Sequence, residues 1–294
     1  MNIALYILVA GFWGGSFIAI KPLVEVMPPM YAAALRIAIA VLFLALALPV
    51  LKAPLFIRTS VKKRIWLTGQ FAFTLPFALL FWGEQRIAPG LAGILNGTVP
   101  LFVFALGAIF TPKAEPINAR RVLGLLFGIT GLIVIFYPQI MESQSNSLLG
   151  TVAVTLMSAS YAVSALMNRS IFIGSPEIHP FTNLFQQLLA SLCVLGPIAI
   201  LFNSWPTIEP KDYPMVMTST LYLGVGSTSI AFVMFYRLIK AWGAVRASTV
   251  TYIIPIAALL FDFLINRTQP VFSELSGVLI VTAGVIILNW PSRR

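Results

Sequence analysis

The residues of this chain that could do chemistry are polar side chains set inside long apolar runs. In the first half these are Ser16, Arg36, Gln70, Asn96 and Thr98. In the second they are Ser158, Ser160, Ser164, Gln186, Gln187, Tyr222, Ser227, Thr228, Ser229, Thr249, Thr251 and Tyr252. Hydroxyls and amides of this kind can bind a small molecule reversibly, but they do not form a catalytic set. Within hydrocarbon such groups are costly, so they turn toward a bundle interior or a water-filled cavity. Ser and Thr also have a purely structural use, bonding the preceding turn or a neighbouring helix.

A few positions are more telling. The Asn96 amide carries donors and acceptors that no helix backbone satisfies, and it is followed by Gly97 and Pro100. That combination reads as a cavity-facing amide beside a locally opened backbone. Trp13 and Tyr161 occupy corresponding mid-span positions, away from the interfacial belt where such rings usually anchor. They read either as core packing or as aromatic walls of a cavity. Arg36 lies about 10 Å along its span, from where it can snorkel to the outer surface; binding a carboxylate is its second reading. Pro100 and Pro255 each remove a helix hydrogen bond at equivalent places and are read as hinges. Cys193 stands alone and His179 is the only histidine, so neither an intrachain disulfide nor a metal site is expected.

The elements that must hold these groups follow from composition. Hydrophobic residues make up 59% of the chain and charged residues 10%, with a mean hydropathy of +0.94. Soluble domains carry about 25% charged residues. Apolar runs at 3–20, 30–51, 65–83, 88–111, 118–137, 148–168, 181–202, 214–236, 242–265 and 271–290 are each long enough to cross a bilayer as a helix. The expected fold is therefore an all-α polytopic membrane protein of ten transmembrane helices, with no soluble domain.

The runs repeat. Gly11 to Lys21 parallels Ala159 to Arg169, with Trp13 opposite Tyr161, Ser16 opposite Ser164 and a cation closing each segment. Ala88 to Phe110 lies against Gly243 to Ile265, pairing Pro100 with Pro255, and Phe81 pairs with Tyr236. Gly124 to Gly131 matches Gly277 to Gly284. Two five-helix repeats are expected, residues 1–142 and 143–294. An odd number of spans in each forces the copies to sit inverted in the membrane.

Basic residues then orient the chain. Lys52, Arg58, Lys62, Lys63, Arg64, Lys113, Arg120, Arg121, Arg169, Arg237, Lys240, Arg246, Arg293 and Arg294 fall on one side, against Lys21, Arg86, Lys211 and Arg267 on the other. The bias places both termini in the cytoplasm and the 143–147 loop outside. A pI of 10.1 could suggest nucleic acid, but these cations sit in separate short loops with no nucleic-acid-binding motif. An embedded enzyme would need a catalytic set, and a channel a charged ring or re-entrant filter; neither is visible.

The ten-span inverted duplication, the small and aromatic start of each half, the Pro100 and Pro255 spans and the glycine-spaced tails resemble the EamA-type members of the drug/metabolite transporter superfamily. The likeness covers essentially the whole chain, and within the family it is strongest to the YddG-type amino-acid exporters. It implies alternating access around a central cavity walled by spans 1, 3, 4, 6, 8 and 9, with spans 5 and 10 peripheral. The lining residues would then be Trp13, Ser16, Gln70, Asn96, Tyr161, Ser164, Tyr222, Thr251 and Tyr252. It also implies an inner-membrane carrier that works as a monomer, without metal or cofactor, whose substrate is an amino acid, aromatic ones included, leaving the cell. The family often has a Glu nine residues before the first glycine of the last helix of each half; Glu115 satisfies this, while Thr268 stands at the second position.

In the four-helix small multidrug relatives, a proton-exchanging Glu lies eight residues before the Lys that closes the first helix. The same count here gives Trp13 before Lys21 and Tyr161 before Arg169. Neither titrates near neutral pH. Asp262 is the remaining membrane-level acid, read as a structural partner or, failing that, a coupling residue. The expectation is a facilitator, with proton-coupled export of other metabolites or drugs as the alternative.

Overall fold

Within hydrocarbon a single segment satisfies its backbone hydrogen bonds only as a helix, and the apolar runs of this chain do so. The structure, a computed structural model, describes residues 2–56, 61–87, 89–110, 118–142, 147–202, 205–266 and 271–289. Ten helical elements run through them. α1 is Asn2–Val26, α2 Pro29–Val50 and α3 Lys62–Glu84; α4 is built from Pro89–Gly97 and Val99–Phe110, and α5 is Ala119–Glu142. α6 is Leu148–Gly174 and α7 Pro180–Phe202; α8 runs through Tyr213–Leu221, Tyr222–Ile230 and Ala231–Trp242. α9 is built from Ala244–Ser248 and Val250–Asn266, and α10 is Phe272–Asn289. Among the described residues eight helices are long and apolar enough to cross a membrane, and Ala244–Ala257 and Phe272–Leu288 are shorter apolar helices.

Several helices outrun the apolar runs that announce them. α1 continues past Lys21 to Val26, α5 to Glu142 and α6 to Gly174. Charged and polar residues can extend a helix once it leaves the lipid, so hydropathy marks the membrane and not the helix end. Pro29 opens α2 at a position where its missing N–H costs nothing.

Packing partners exchange between the halves. α1 packs against α8 and α9 as α6 packs against α3 and α4, while α2 pairs with α7 and α5 with α10. Glycines set the closest approaches. A Cβ on Gly69 of α3 would collide with the Gln187 carbonyl oxygen of α7, and one on Gly224 of α8 would fall 3.1 Å from that of Arg36 in α2. In the α5–α10 seam Gly124 faces Gly284 and Gly131 faces Gly277, so these two helices run antiparallel. Only glycine lets backbones come this close.

The regular ladder is interrupted at matched helices. α3 contains a π-helical turn at Gln70–Thr74, and α8 a longer one at Tyr222–Ile230. Such turns widen the helix and leave carbonyls off the usual i→i+4 pattern. Side chains of α6 and α1 meet carbonyls there: Ser160 Oγ donates to Phe71 O at 2.8 Å, and Trp13 Nε1 donates to Ser227 O at 3.0 Å. α4 and α9 are broken as well, at Thr98 and Thr249.

The two prolines read as equivalent hinges sit differently with respect to these breaks. Pro100 is the second residue after the break in α4, whereas Pro255 lies inside the continuous Val250–Asn266 segment. At the α4 break the Leu95 carbonyl accepts from Thr98 N at 3.1 Å and from Ser158 Oγ of α6 at 2.7 Å, which ties the opened turn to its neighbour.

Basic side chains gather at one end of the bundle. Arg64 Nη2 donates to Ser170 Oγ, Arg169 Nη1 to the carbonyls of Ile239 and Lys240, and Lys240 Nζ to Pro176 O. Arg246 lies over the Trp242 ring, which also meets Tyr6 near the start of α1. At the opposite end Ser147 N donates to Arg86 O and Gln85 Nε2 to Val24 O. His179 stacks on Phe181, and partial burial followed by the charges of Arg237 and Lys240 lowers its pKa.

Candidate functional site

A cavity opens between α1, α2, α3, α4, α6, α8 and α9, with about 750 Å³ of atom-free space counting its mouth. Six of the nine residues expected to line it do so: Trp13, Ser16, Asn96, Tyr161, Ser164 and Thr251. Asn96 reaches it from the last turn before the α4 break, where its amide has no hydrogen-bond partner among the described residues.

The other three stand away from the cavity and have structural partners. Gln70 bonds within its own helix, Nε2 donating to Trp66 O and Oε1 accepting from Thr74 Oγ1. Tyr222 donates its hydroxyl to Phe12 O at 2.8 Å and lies against Gly15. Tyr252 is fully buried against Gly128 of α5, with its hydroxyl directed to Leu125 O at 3.3 Å. Of the remaining expectations, Glu115, Thr268 and Ser145 lie outside the described residues, and Asp262 is described only by its place in the α9 helix.

One wall is aromatic. Trp13 meets Phe232 at a centroid distance of 5.0 Å and Phe235 at 5.1 Å, with Tyr161 and Tyr236 on the same cavity. Phe232, Phe235 and Tyr236 escaped the sequence reading because nothing in an apolar helix distinguishes a cavity-facing Phe from a packed one. Tyr236 is held from behind: its hydroxyl meets Gln187 Oε1 at 2.5 Å, and Gln187 Nε2 donates to Asn168 Oδ1 at 2.8 Å. Asn183 donates to the same Asn168 oxygen at 2.7 Å, and Asn168 Nδ2 donates to Ser164 O. This buried network ties the α6 and α8 sides of the cavity to α7 behind them.

The other wall carries charge. Arg36 does not reach the outer surface, as snorkelling would require; it is 3% exposed and lines the cavity. Its Nε donates to Thr228 Oγ1 at 2.7 Å and its Nη2 to Ser227 Oγ at 3.1 Å, while the guanidinium carbon lies 4.2 Å from the Phe77 ring centroid. Ser227 Oγ also meets Ser16 Oγ at 2.5 Å, which joins α1, α2 and α8. The partners that hold Arg36 inward come from the π-helical turn of α8, a feature no local reading of α2 could supply. A second acid also escaped that reading. Glu84, the last residue of α3, has a buried Oε1 without a hydrogen-bond partner among the described residues.

The geometry is that of a binding chamber with one aromatic wall and one cationic wall. The profile of the EamA-like transporter family matches residues 1–137 and again 148–290. The chain belongs to the EamA-like transporter family. It is 24% identical over 282 residues to the uncharacterized transporter YoaV of Bacillus subtilis (strain 168), covering 96% of this chain and 94% of that one. An uncharacterized transporter of Archaeoglobus fulgidus is 26% identical over 278 residues, covering 94% of each chain. A solved crystal structure superposes with a TM-score of 0.79 at 17% identity, over 100% of this chain and 99% of the other, which shows the fold. This EamA-like chain is thus a multi-pass membrane protein of the drug/metabolite transporter superfamily, and its function is secondary transport of small metabolites.

Proposed function

We propose that this chain exports amino acids, aromatic ones included, or similar small amphipathic metabolites, by alternating access around the cavity, in the manner of the YddG-type branch. The observation that carries the reading is the chamber itself. Trp13, Phe232 and Phe235 offer an apolar face, the Asn96 amide offers a donor and an acceptor, and Ser16, Ser164 and Thr251, whose protons go to carbonyls of their own helices, offer acceptor oxygens. Trp13, Ser16, Asn96, Tyr161, Ser164 and Thr251 contact the solute; Tyr222 and Tyr252 tie neighbouring helices together around it, and Gln70 braces the π-helical turn of its own helix.

The carrier consists of two inverted five-helix repeats, residues 1–142 and 143–294, and functions as a monomer in the inner membrane. The exchange of packing partners and the antiparallel glycine seam of α5 and α10 support the inversion. Rocking uses the breaks at Thr98 and Thr249 with Pro100 and Pro255 beside or beyond them.

Both termini are cytoplasmic. The loop-charge bias and the gathering of Arg64, Arg169 and Lys240 near one end support this. A cysteine replacing Ser145 in a Cys193→Ser background should react with an impermeant thiol reagent in whole cells. Labelling only after lysis would reverse the orientation.

Transport runs down the solute gradient. Uptake of radiolabelled amino acids into proteoliposomes should proceed with no pH difference, and aromatic amino acids should be taken up. A proton-coupled reading is favoured by one observation, the buried and unpartnered Oε1 of Glu84. Flux seen only under an imposed proton gradient, and lost in Glu84→Gln, would replace the facilitator by that reading. Loss in Asp262→Asn would instead give the coupling role to Asp262.

A further inference from the structure

Arg36 is a buried cation with no salt bridge among the described residues; the buried Glu84 carboxyl acts on it only at a distance. Among the described residues no carboxylate lies within ion-pair distance of it, and its Nη1 has no hydrogen-bond partner. A buried guanidinium left in this state carries a desolvation cost of several kcal/mol, which two hydroxyls and the face of Phe77 offset only in part. The cost is tolerated where an anion arrives from elsewhere, and Arg36 faces the cavity, where a solute arrives.

The surroundings define the orientation of that anion. Thr228 Oγ1 takes Nε and Ser227 Oγ takes Nη2, so Nη1 and the unused Nη2 proton remain for a ligand. The hydroxyl contacts also lock the plane of the guanidinium. Lysine could not reproduce this, since its ammonium is a point charge without the fork. Across the chamber Trp13, Phe232 and Phe235 leave no charged group for the other end of the solute.

We propose that Arg36 anchors the carboxylate of the transported solute, whose apolar or aromatic tail lies against Trp13, Phe232 and Phe235. The inference deepens the amino-acid reading and rests on its assignment of the cavity as the solute chamber. Its content is a charge rule: an acid head is required, and an amine without an acid is rejected. A single guanidinium with no lysine beside it on the cavity fits a monocarboxylate or a zwitterion rather than a multiply charged anion.

The test uses three ligands with one skeleton, 3-phenylpropanoate, 3-phenylpropanamide and 3-phenylpropylamine, titrated against the purified full chain in detergent with thermal stabilisation as readout. The acid should bind about 10-fold or more tighter than the amide and the amine, equal to about 1.4 kcal/mol. Arg36→Gln should erase that preference and Arg36→Lys should retain part of it. If Arg36→Gln does not fold, the wild-type series and Arg36→Lys still decide. Equal binding of acid, amide and amine by the wild type would overturn the proposal, as would an unchanged acid preference in Arg36→Gln. Two further outcomes separate this inference from the amino-acid reading. Arg36-dependent binding of 3-phenylpropanoate with no binding or uptake of phenylalanine would uphold the anion anchor and sink amino acids as the cargo. Phenylalanine uptake inhibited equally by phenylalaninamide and 3-phenylpropanoate would keep the transporter and remove the anchor.

Discussion

Trp13→Ala should lower the initial rate of aromatic amino-acid uptake about 30-fold while leaving folded protein in the membrane. The ring touches Phe232 and Phe235 on one side, and its Nε1–H donates to the Ser227 carbonyl on the other. Truncation therefore removes the centre of the apolar wall and releases a carbonyl on the π-helical turn that also presents Ser227 and Thr228 to Arg36. Loss of a buried aromatic anchor costs about 2 kcal/mol or more, which is the stated factor. Trp13→Phe keeps much of the wall and should recover part of the rate. Asn96→Ala and Tyr161→Ala should reduce uptake too. Wild-type rates in all three alanine variants would remove these residues from the pathway.

Asn168→Leu should have the largest effect on stability. Its side chain accepts from Asn183 Nδ2 and Gln187 Nε2 and donates to the Ser164 carbonyl, all within a buried region. Leucine satisfies none of these, so two amide donors lose their partner, each at about 1–3 kcal/mol. Gln187 is also the partner of Tyr236, so the disturbance reaches the cavity. The variant should show a clearly lowered melting temperature in detergent, and its residual folded fraction should transport poorly. Asn168→Asp, which keeps the acceptor, should be milder. An unchanged melting temperature in Asn168→Leu would mean that the network does not hold α6, α7 and α8 together.

Much of the fold was legible because lipid imposes strict rules. Apolar length alone located the helices, and the pairing of Trp13 with Tyr161 and of Gly124 with Gly277 pointed to a duplication before any packing was known. Six cavity residues followed from polar and aromatic type in an apolar run, taken together with the helix arrangement that the family resemblance implies. The three that stand away from the cavity lie at or near irregular turns. Gln70 and Tyr222 stand at the first residue of the two π-helical turns, and Tyr252 follows the break at Thr249. Each departure from 3.6 residues per turn rotates the neighbouring side chains away from the face that a regular helix would give. Arg36 was misread for a different reason. Its fate depends on hydroxyls about 190 positions away in sequence, brought to it by the α2–α8 contact. Phe232 and Phe235 gave no signal at all, since cavity-facing and packed phenylalanines are alike in sequence.

The most direct measurement is counterflow in proteoliposomes without a pH difference. Vesicles preloaded with unlabelled phenylalanine and diluted into a trace of labelled phenylalanine should accumulate label transiently above its external level, because a carrier returns loaded from each face. Trp13→Ala should suppress the overshoot. Label that only equilibrates, indifferent to internal phenylalanine, would contradict alternating access around this cavity.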